Sequence, residues 1–201
     1  MSVDQAVFRR IMGQFATGVT IITVQHGDLM HGMTANTFTS LSLDPPMVLF
    51  CVGKTARMAG LLEGADGFAI NILAADQEDL SRHFAGRQAQ SEIELLRKGP
   101  VAPLVPGSLG ALSCTIETMH AGGDHWIVVG RVVELHQADN EPTEQPLVFF
   151  GSRYATLSAP NDRLHAPDET WTNDAILIYH DEWTMGGDPP PDEYVRAHIW
   201  E

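Results

Sequence analysis

The sequence predicts a mainly β protein, an antiparallel barrel with a few peripheral helices. Three observations predict it. The β-branched and apolar runs are short and numerous, with turn residues between neighbours. Helical periods occur singly between these runs and not in a β-α-β alternation, which argues against a doubly wound parallel sheet. No self-similarity appears at a period of 20–50 residues, so the chain is not a repeat array.

Taken in order, residues 4–16 read as a helix: Phe8, Ile11, Met12 and Phe15 form one apolar stripe, with Asp4 as a cap and Gly18 just beyond. Val19–Val24 is a dense β-branched strand, His26-Gly27-Asp28 a turn, and Met30–Thr39 the returning strand of a hairpin. Pro45-Pro46 closes a loop before the apolar strand Met47–Val52. Ala56–Glu63 is a short helix ended by Gly64, and Gly67–Leu73 is another strand. Asp76–Phe84 reads as a helix capped by Asp76. Residues 86–110 carry Gly99-Pro100, Pro103 and Pro106-Gly107 and read as a surface excursion with at most one helix, near Ser91–Arg97. Ser113–His120, Trp126–Leu135 and Leu147–Phe150 complete the strands.

The 201 residues contain 26 acidic and 12 basic side chains, a net charge of −14. That sign disfavours nucleic acid and anionic membrane as partners. Residues 158–201 hold 10 acidic and 2 basic residues, so their net is −8, against −6 for residues 1–157. This C-terminal stretch also holds Pro189-Pro190-Pro191, Trp171, Trp183 and Trp200, too aromatic for an ordinary disordered tail. It is expected to dock on its own domain, a second subunit or a partner. Cys51 and Cys114 sit in apolar stretches 63 positions apart and read as buried free thiols. The N-terminus lacks the pattern of a secretory signal, and no apolar run approaches the roughly 18 residues of a membrane span. A soluble cytoplasmic protein is the expectation.

Phosphate-loop, dinucleotide-fold, zinc-protease and nucleophile-elbow motifs are all absent. No metal site is expected; the nearest cluster, His180-Asp181-Glu182, reads as a solvated acidic turn. Three polar clusters remain. Gly32–Ser40, followed by Ser42, is small and polar where a strand would otherwise want bulk. Gly53-Lys54-Thr55-Ala56-Arg57 places two cations and a hydroxyl at a helix start, suited to a phosphate or simply to solvent. Gly122-Gly123-Asp124-His125 opens a strand, where His125 is either a site residue or a hydrogen-bonded structural one.

In order and spacing these clusters resemble a known family. The matching residues are Phe8-Arg9, Phe15-Ala16-Thr17-Gly18-Val19-Thr20, Gly32-Met33-Thr34-Ala35-Asn36 and Ser40-Leu41-Ser42-Leu43-Asp44-Pro45-Pro46. They continue through Phe68–Leu73, Gln77, Leu80-Ser81, Phe84-Ala85-Gly86, Gly123-Asp124-His125, Gly130-Arg131-Val132, Pro146–Phe150 and Tyr154. Over about residues 6–157 the chain resembles the flavin reductase-like, FMN-binding split-barrel proteins. The resemblance is greatest to short-chain NAD(P)H:flavin oxidoreductases, which supply reduced flavin to two-component monooxygenases. It implies a six-stranded antiparallel split barrel over residues 1–157, with 158–201 as a C-terminal extension. It also implies a homodimer, bound FMN or FAD, NADH or NADPH as co-substrate, and a partner monooxygenase.

By position, the resemblance implies that Thr34, Ala35 and Asn36 line the isoalloxazine ring, with Thr37 beside them. Ser40 and Ser42 would lie near the ribityl chain or phosphate, and Lys54, Thr55 and Arg57 would take the phosphate. Phe84, Ala85 and Gly86 would close over the flavin edge, with Tyr154 shaping the same pocket. His125 would be the catalytic residue that contacts the nicotinamide or the flavin edge. Two departures bear on substrate range: Arg87-Gln88-Ala89-Gln90 replaces a common arginine–phenylalanine pattern, and the chain continues beyond Ser158. The rival expectations are a split-barrel flavoprotein that keeps its flavin and acts on a corrinoid or biosynthetic intermediate, and a non-catalytic flavin-binding protein.

Overall fold

The computed structural model describes residues 3–86, 95–137, 145–155 and 157. The expected C-terminal extension, the His180–Glu182 cluster and most of the helix expected at 91–97 lie outside these residues.

Helix α1 (Gln5–Met12) begins where Asp4 accepts hydrogen bonds from the Ala6 and Val7 amides at 2.8 and 3.1 Å. It is shorter than the helix expected over 4–16. The apolar stripe of Phe8, Ile11, Met12 and Phe15 is 52–70% exposed. The periodicity marked an apolar face correctly, but nothing among the described residues covers it.

Strands β1 (Thr17–Gly18), β2 (Thr20–His26), β3 (Leu29–Ala35), β4 (Thr39–Leu43) and β5 (Pro46–Gly53) follow. The β2–β3 hairpin closes through Gly27 and Asp28, with Gly27 at φ 59°, a conformation open to glycine without a Cβ penalty. The strand expected over 30–39 is in fact the end of one strand and the start of another: the chain turns at 36–38 and β4 begins at Thr39. Helix α2 (Arg57–Leu62), β6 (Gly67–Ile72) and α3 (Glu78–Phe84) come next. Asp76 does not cap α3; it lies within a 3-10 turn at Ala75–Gln77, where Gln77 turns its side-chain oxygen back to the Ala74 amide. Strands β7 (Gly110–Gly122), β8 (His125–Gln137), β9 (Val148–Phe150) and β10 (Arg153–Ala155) complete the order.

The main sheet has seven antiparallel strands in the order β3-β2-β6-β7-β8-β5-β4, and a small sheet has the order β1-β9-β10. The architecture is the expected mainly β barrel with peripheral helices, but with seven main strands where six were expected. Strands β2 and β5 stand four places apart, which in a flat sheet would separate them by roughly 19 Å. Ile22 and Val24 of β2 nevertheless share one buried cluster with Val48, Phe50 and Val52 of β5 and with Met58, Ala59 and Leu62 of α2. The sheet therefore curls around this core, and α2 packs against β2, β3 and β5.

The other face of β2 and β6 is buried as well. Ile21, one residue before Ile22, packs with Val19, Leu73, Leu80, Val105 and Leu147. The stretch after residue 95, expected as a surface excursion, covers this face: Ala102, Leu104 and Val105 are buried. Arg97 bridges to Leu104 in place of the expected helix end. Asn71 fastens the stretch to the sheet. Its side-chain nitrogen donates to the Ile21 carbonyl at 3.0 Å, and its oxygen accepts from the Val105 amide at 2.8 Å. Thr23 donates its hydroxyl proton to the Pro103 carbonyl. Cys114 is fully buried, which pushes its thiol up to about 12, and Cys51 is half-buried; both are free. No described helix is long and apolar enough to cross a membrane.

Candidate functional site

Three corners of the barrel carry the expected site residues. The first is the passage from β3 to β4, the two edge strands of the main sheet. Asn36 and Thr37 are exposed there, and Ser40 and Ser42 flank a bulge where β4 pairs with β5. Thr37 donates its hydroxyl proton to the Cys51 carbonyl at 3.1 Å and accepts from the Cys51 amide at 3.0 Å, which binds this corner to β5. Asn36 donates to the Thr17 hydroxyl at 3.2 Å, and the Ala35 carbonyl accepts from Thr20 at 2.8 Å. Edge strands keep backbone N–H and C=O groups that no neighbouring strand uses.

The second corner joins the end of β5, the start of α2 and the β7–β8 turn. Gly53 stands opposite His125 in the ladder, so the basic cluster and the glycine–histidine cluster of the sequence meet here. Gly123, at φ 66°, and Asp124 form the two-residue turn between Gly122 and His125. The Lys54 amide donates to the Asp124 carbonyl at 3.0 Å, and its ammonium donates to the Gly123 carbonyl at 2.7 Å. The same ammonium lies 4.9 Å from the centre of the Trp126 ring. Nδ1 of His125 is 2.8 Å from a carboxylate oxygen of Asp124. That hydrogen bond is the main reason the Asp124 carboxyl is held below its usual range, with the positive charge of Lys54 a lesser one. An ionised carboxylate only accepts, so Nδ1 of His125 donates to it and Nε2 faces away from Asp124. Arg57 is exposed on the first turn of α2, and Thr55 is exposed just before it. The His31 imidazole on β3 is held below its usual value, first by burial and then by the charge of Arg57.

The third corner is the C-terminal end of α3 against β3 and β10. Thr34 donates to the Ser81 carbonyl at 2.6 Å, and the Ser81 hydroxyl is 2.9 Å from that of Tyr154. The Arg82 guanidinium lies 4.8 Å from the Tyr154 ring centre, and the Phe149 ring packs edge-on at 5.5 Å. Phe84 occupies the space beside Gly32 that a Cβ would need. Ala85 and Gly86 follow, exposed, with Gly86 at φ 91°.

The structure therefore brings Lys54 together with His125, Thr34 with Tyr154, and Thr37 with the end of β5. Trp126, Asp124 and Ser81 belong to these corners but were not singled out by sequence as site residues. An aromatic residue next to a histidine at a strand start was the available signal for Trp126.

A model of the flavin reductase like domain matches residues 12–158. The chain belongs to the flavin reductase like family. Among its relatives, an NADH-dependent flavin reductase of Rhodococcus sp is 40% identical over 168 residues, covering 81% of this chain and 89% of that protein. The flavin-dependent monooxygenase reductase subunit HsaB of Rhodococcus jostii is 35% identical over 175 residues, 86% of each chain. Among solved structures, this flavin reductase domain is similar to the Streptomyces globisporus NADH:FAD oxidoreductase SgcE6 in complex with NAD and FAD fragments. That match has a TM-score of 0.71 at 40% identity and covers 81% of this chain and 99% of the other.

Proposed function

We propose that this protein is an NAD(P)H-dependent flavin reductase that takes FMN or FAD and supplies it, reduced, to a partner monooxygenase. The observation that carries the reading is the second corner. There, exposed Thr55 and Arg57 at the start of α2 closely follow Gly53, which stands opposite His125 in the ladder, on a barrel shared with enzymes named for this activity. The donor set fits a flavin: an arginine and a hydroxyl suit a phosphate, and the edge-strand backbone at 34–37 suits the polar rim of a planar ring.

When bound, the flavin supplies the hydride acceptor and the nicotinamide the donor. The protein's part is to hold both. Arg57 and Thr55 hold phosphate, and the Thr34–Thr37 backbone offers hydrogen bonds to the ring. Phe84, fixed against Gly32, backs the same edge with Ala85, Gly86 and Tyr154, while Ser40 and Ser42 serve the chain between ring and phosphate. His125 would contact the nicotinamide or the flavin edge and so orient the stacked rings. No acid–base pair is required, because positioning supplies most of the rate. The exposed apolar face of α1 supports a homodimer, since such a face gains from a second copy.

An assay of NADH and NADPH oxidation with added FMN, FAD and riboflavin tests the reading. Catalytic turnover of free flavin is expected. A tightly held flavin without such turnover favours the flavoprotein alternative, and no oxidation with any flavin favours a binding protein. His125→Ala is expected to raise the KM for the reduced pyridine nucleotide about tenfold, with flavin affinity intact. Steady-state kinetics identical to the parent would sink that role. Arg57→Gln is expected to weaken FMN about 10- to 100-fold while leaving riboflavin unchanged, because only FMN carries a phosphate. Equal losses for both flavins would remove Arg57 from the phosphate site.

A further inference from the structure

We propose that Lys54 is a positioning residue that holds the β7–β8 turn, and with it His125, and that its ammonium does not grip the flavin phosphate. This rests on the reading of His125 as the residue that meets the nicotinamide. A two-residue turn at the exposed tip of a hairpin has little packing of its own, and Gly122 through His125 are all exposed. Lys54 compensates from the neighbouring strand end. It donates to both carbonyls of the turn, through Nζ to Gly123 at 2.7 Å and through its own amide to Asp124 at 3.0 Å.

The ammonium is seated as well as bonded. It lies 4.9 Å over the Trp126 ring, and Trp126 packs against the main core cluster. The cation is therefore braced between a core-anchored ring and the tip of the turn. Its charge also stabilises the Asp124 carboxylate that accepts from Nδ1 of His125. Backbone, carboxylate and imidazole are thus tied to one residue, whose side chain reaches Gly123 and whose amide reaches Asp124. Arg57 and Thr55 remain for the phosphate.

The test is Lys54→Met, which keeps the aliphatic stem and the backbone bond but removes the ammonium. The KM for NADH is expected to rise about tenfold, with kcat and the Kd for FMN within about twofold of the parent. Amide hydrogen exchange at residues 123–126 is expected to quicken. Lys54→Arg, which can still donate to the Gly123 carbonyl and stack on Trp126, is expected to recover most of the loss. Introduced into His125→Ala, Lys54→Met is expected to add little, because its effect runs through the imidazole.

A weakened Kd for FMN with riboflavin unaffected would overturn the proposal by returning Lys54 to the phosphate. Additive losses in the double variant, or unchanged exchange at the turn, would overturn it too. If His125→Ala raises the KM and Lys54→Met does not, the proposal alone fails. If His125→Ala leaves NADH kinetics unchanged, the reading of His125 fails and this proposal with it.

Discussion

Asn71→Leu is expected to lower the stability of the protein by about 2–4 kcal/mol, read from the midpoint of urea unfolding at constant slope. The side chain is fully buried on β6 between two layers that do not otherwise share a ladder. Its oxygen is the acceptor for the Val105 amide at 2.8 Å, and Val105 is itself only 2% exposed. Leucine fills a similar volume but leaves that amide buried without an acceptor. Orphaning such a donor costs more than a hydrogen bond contributes when made, so the loss exceeds that of an ordinary surface polar change. Exchange of the amides at 102–105 is expected to quicken beyond the global effect, because this stretch loses its fastening. A loss below about 1 kcal/mol would show that the stretch is held without Asn71, by its apolar packing and the Thr23 hydrogen bond.

Phe68→Ala is expected to cost about 3–5 kcal/mol in the same measurement. Phe68 is fully buried, with its ring edge-on to Phe50 at a centroid distance of 5.0 Å. The ring also fills the space above Gly130 of β8, where a Cβ would collide with it. Glycine is needed at 130 because phenylalanine stands at 68, and truncating the ring opens a cavity that a strand backbone cannot collapse to fill. The reverse change follows from the same geometry. In the Phe68→Ala background, Gly130→Ala is expected to recover part of the loss, although alone it destabilises by overpacking. Additive losses in the double variant would sink this account of the contact.

Much of the barrel was legible in the sequence because its strands are bounded by residues with one local meaning. Gly27-Asp28 and Gly123-Asp124 close hairpins, and the β-branched run at 19–24 and the apolar run at 47–52 fall, but for Val19, in β2 and β5. What escaped was set by partners distant in the chain. Thr39–Leu43 alternates hydroxyls with leucines and reads as a polar continuation, yet it pairs with β5 as an edge strand. Residues 100–106 carry Pro100, Pro103 and Pro106 and read as surface, but Asn71 and Thr23, more than thirty positions upstream, tie Val105 and Pro103 to the sheet. The stripe on α1 was visible at 3.6-residue spacing, while periodicity says nothing of which surface it meets. At the candidate site, the sequence marked Lys54 and His125 as separate clusters. Only the ladder between Gly53 and His125 shows them to be neighbours.

The two faces of β2 and β6 have a bearing on how this protein could diversify. Ile21 and Ile22, adjacent in the chain, anchor separate buried layers, so the buried stretches of β2 and β6 have no free face to vary. Asn36, Thr55, Arg57 and His125 stand outside both layers, at corners where their side chains add nothing to the core. Of the residues proposed to meet flavin or nucleotide, these four can therefore be exchanged without opening the core, whereas Phe84 and Tyr154 pack against a buried cluster and serve both purposes. The exposed corners are thus the positions at which ligand preference can be redesigned at little cost in stability.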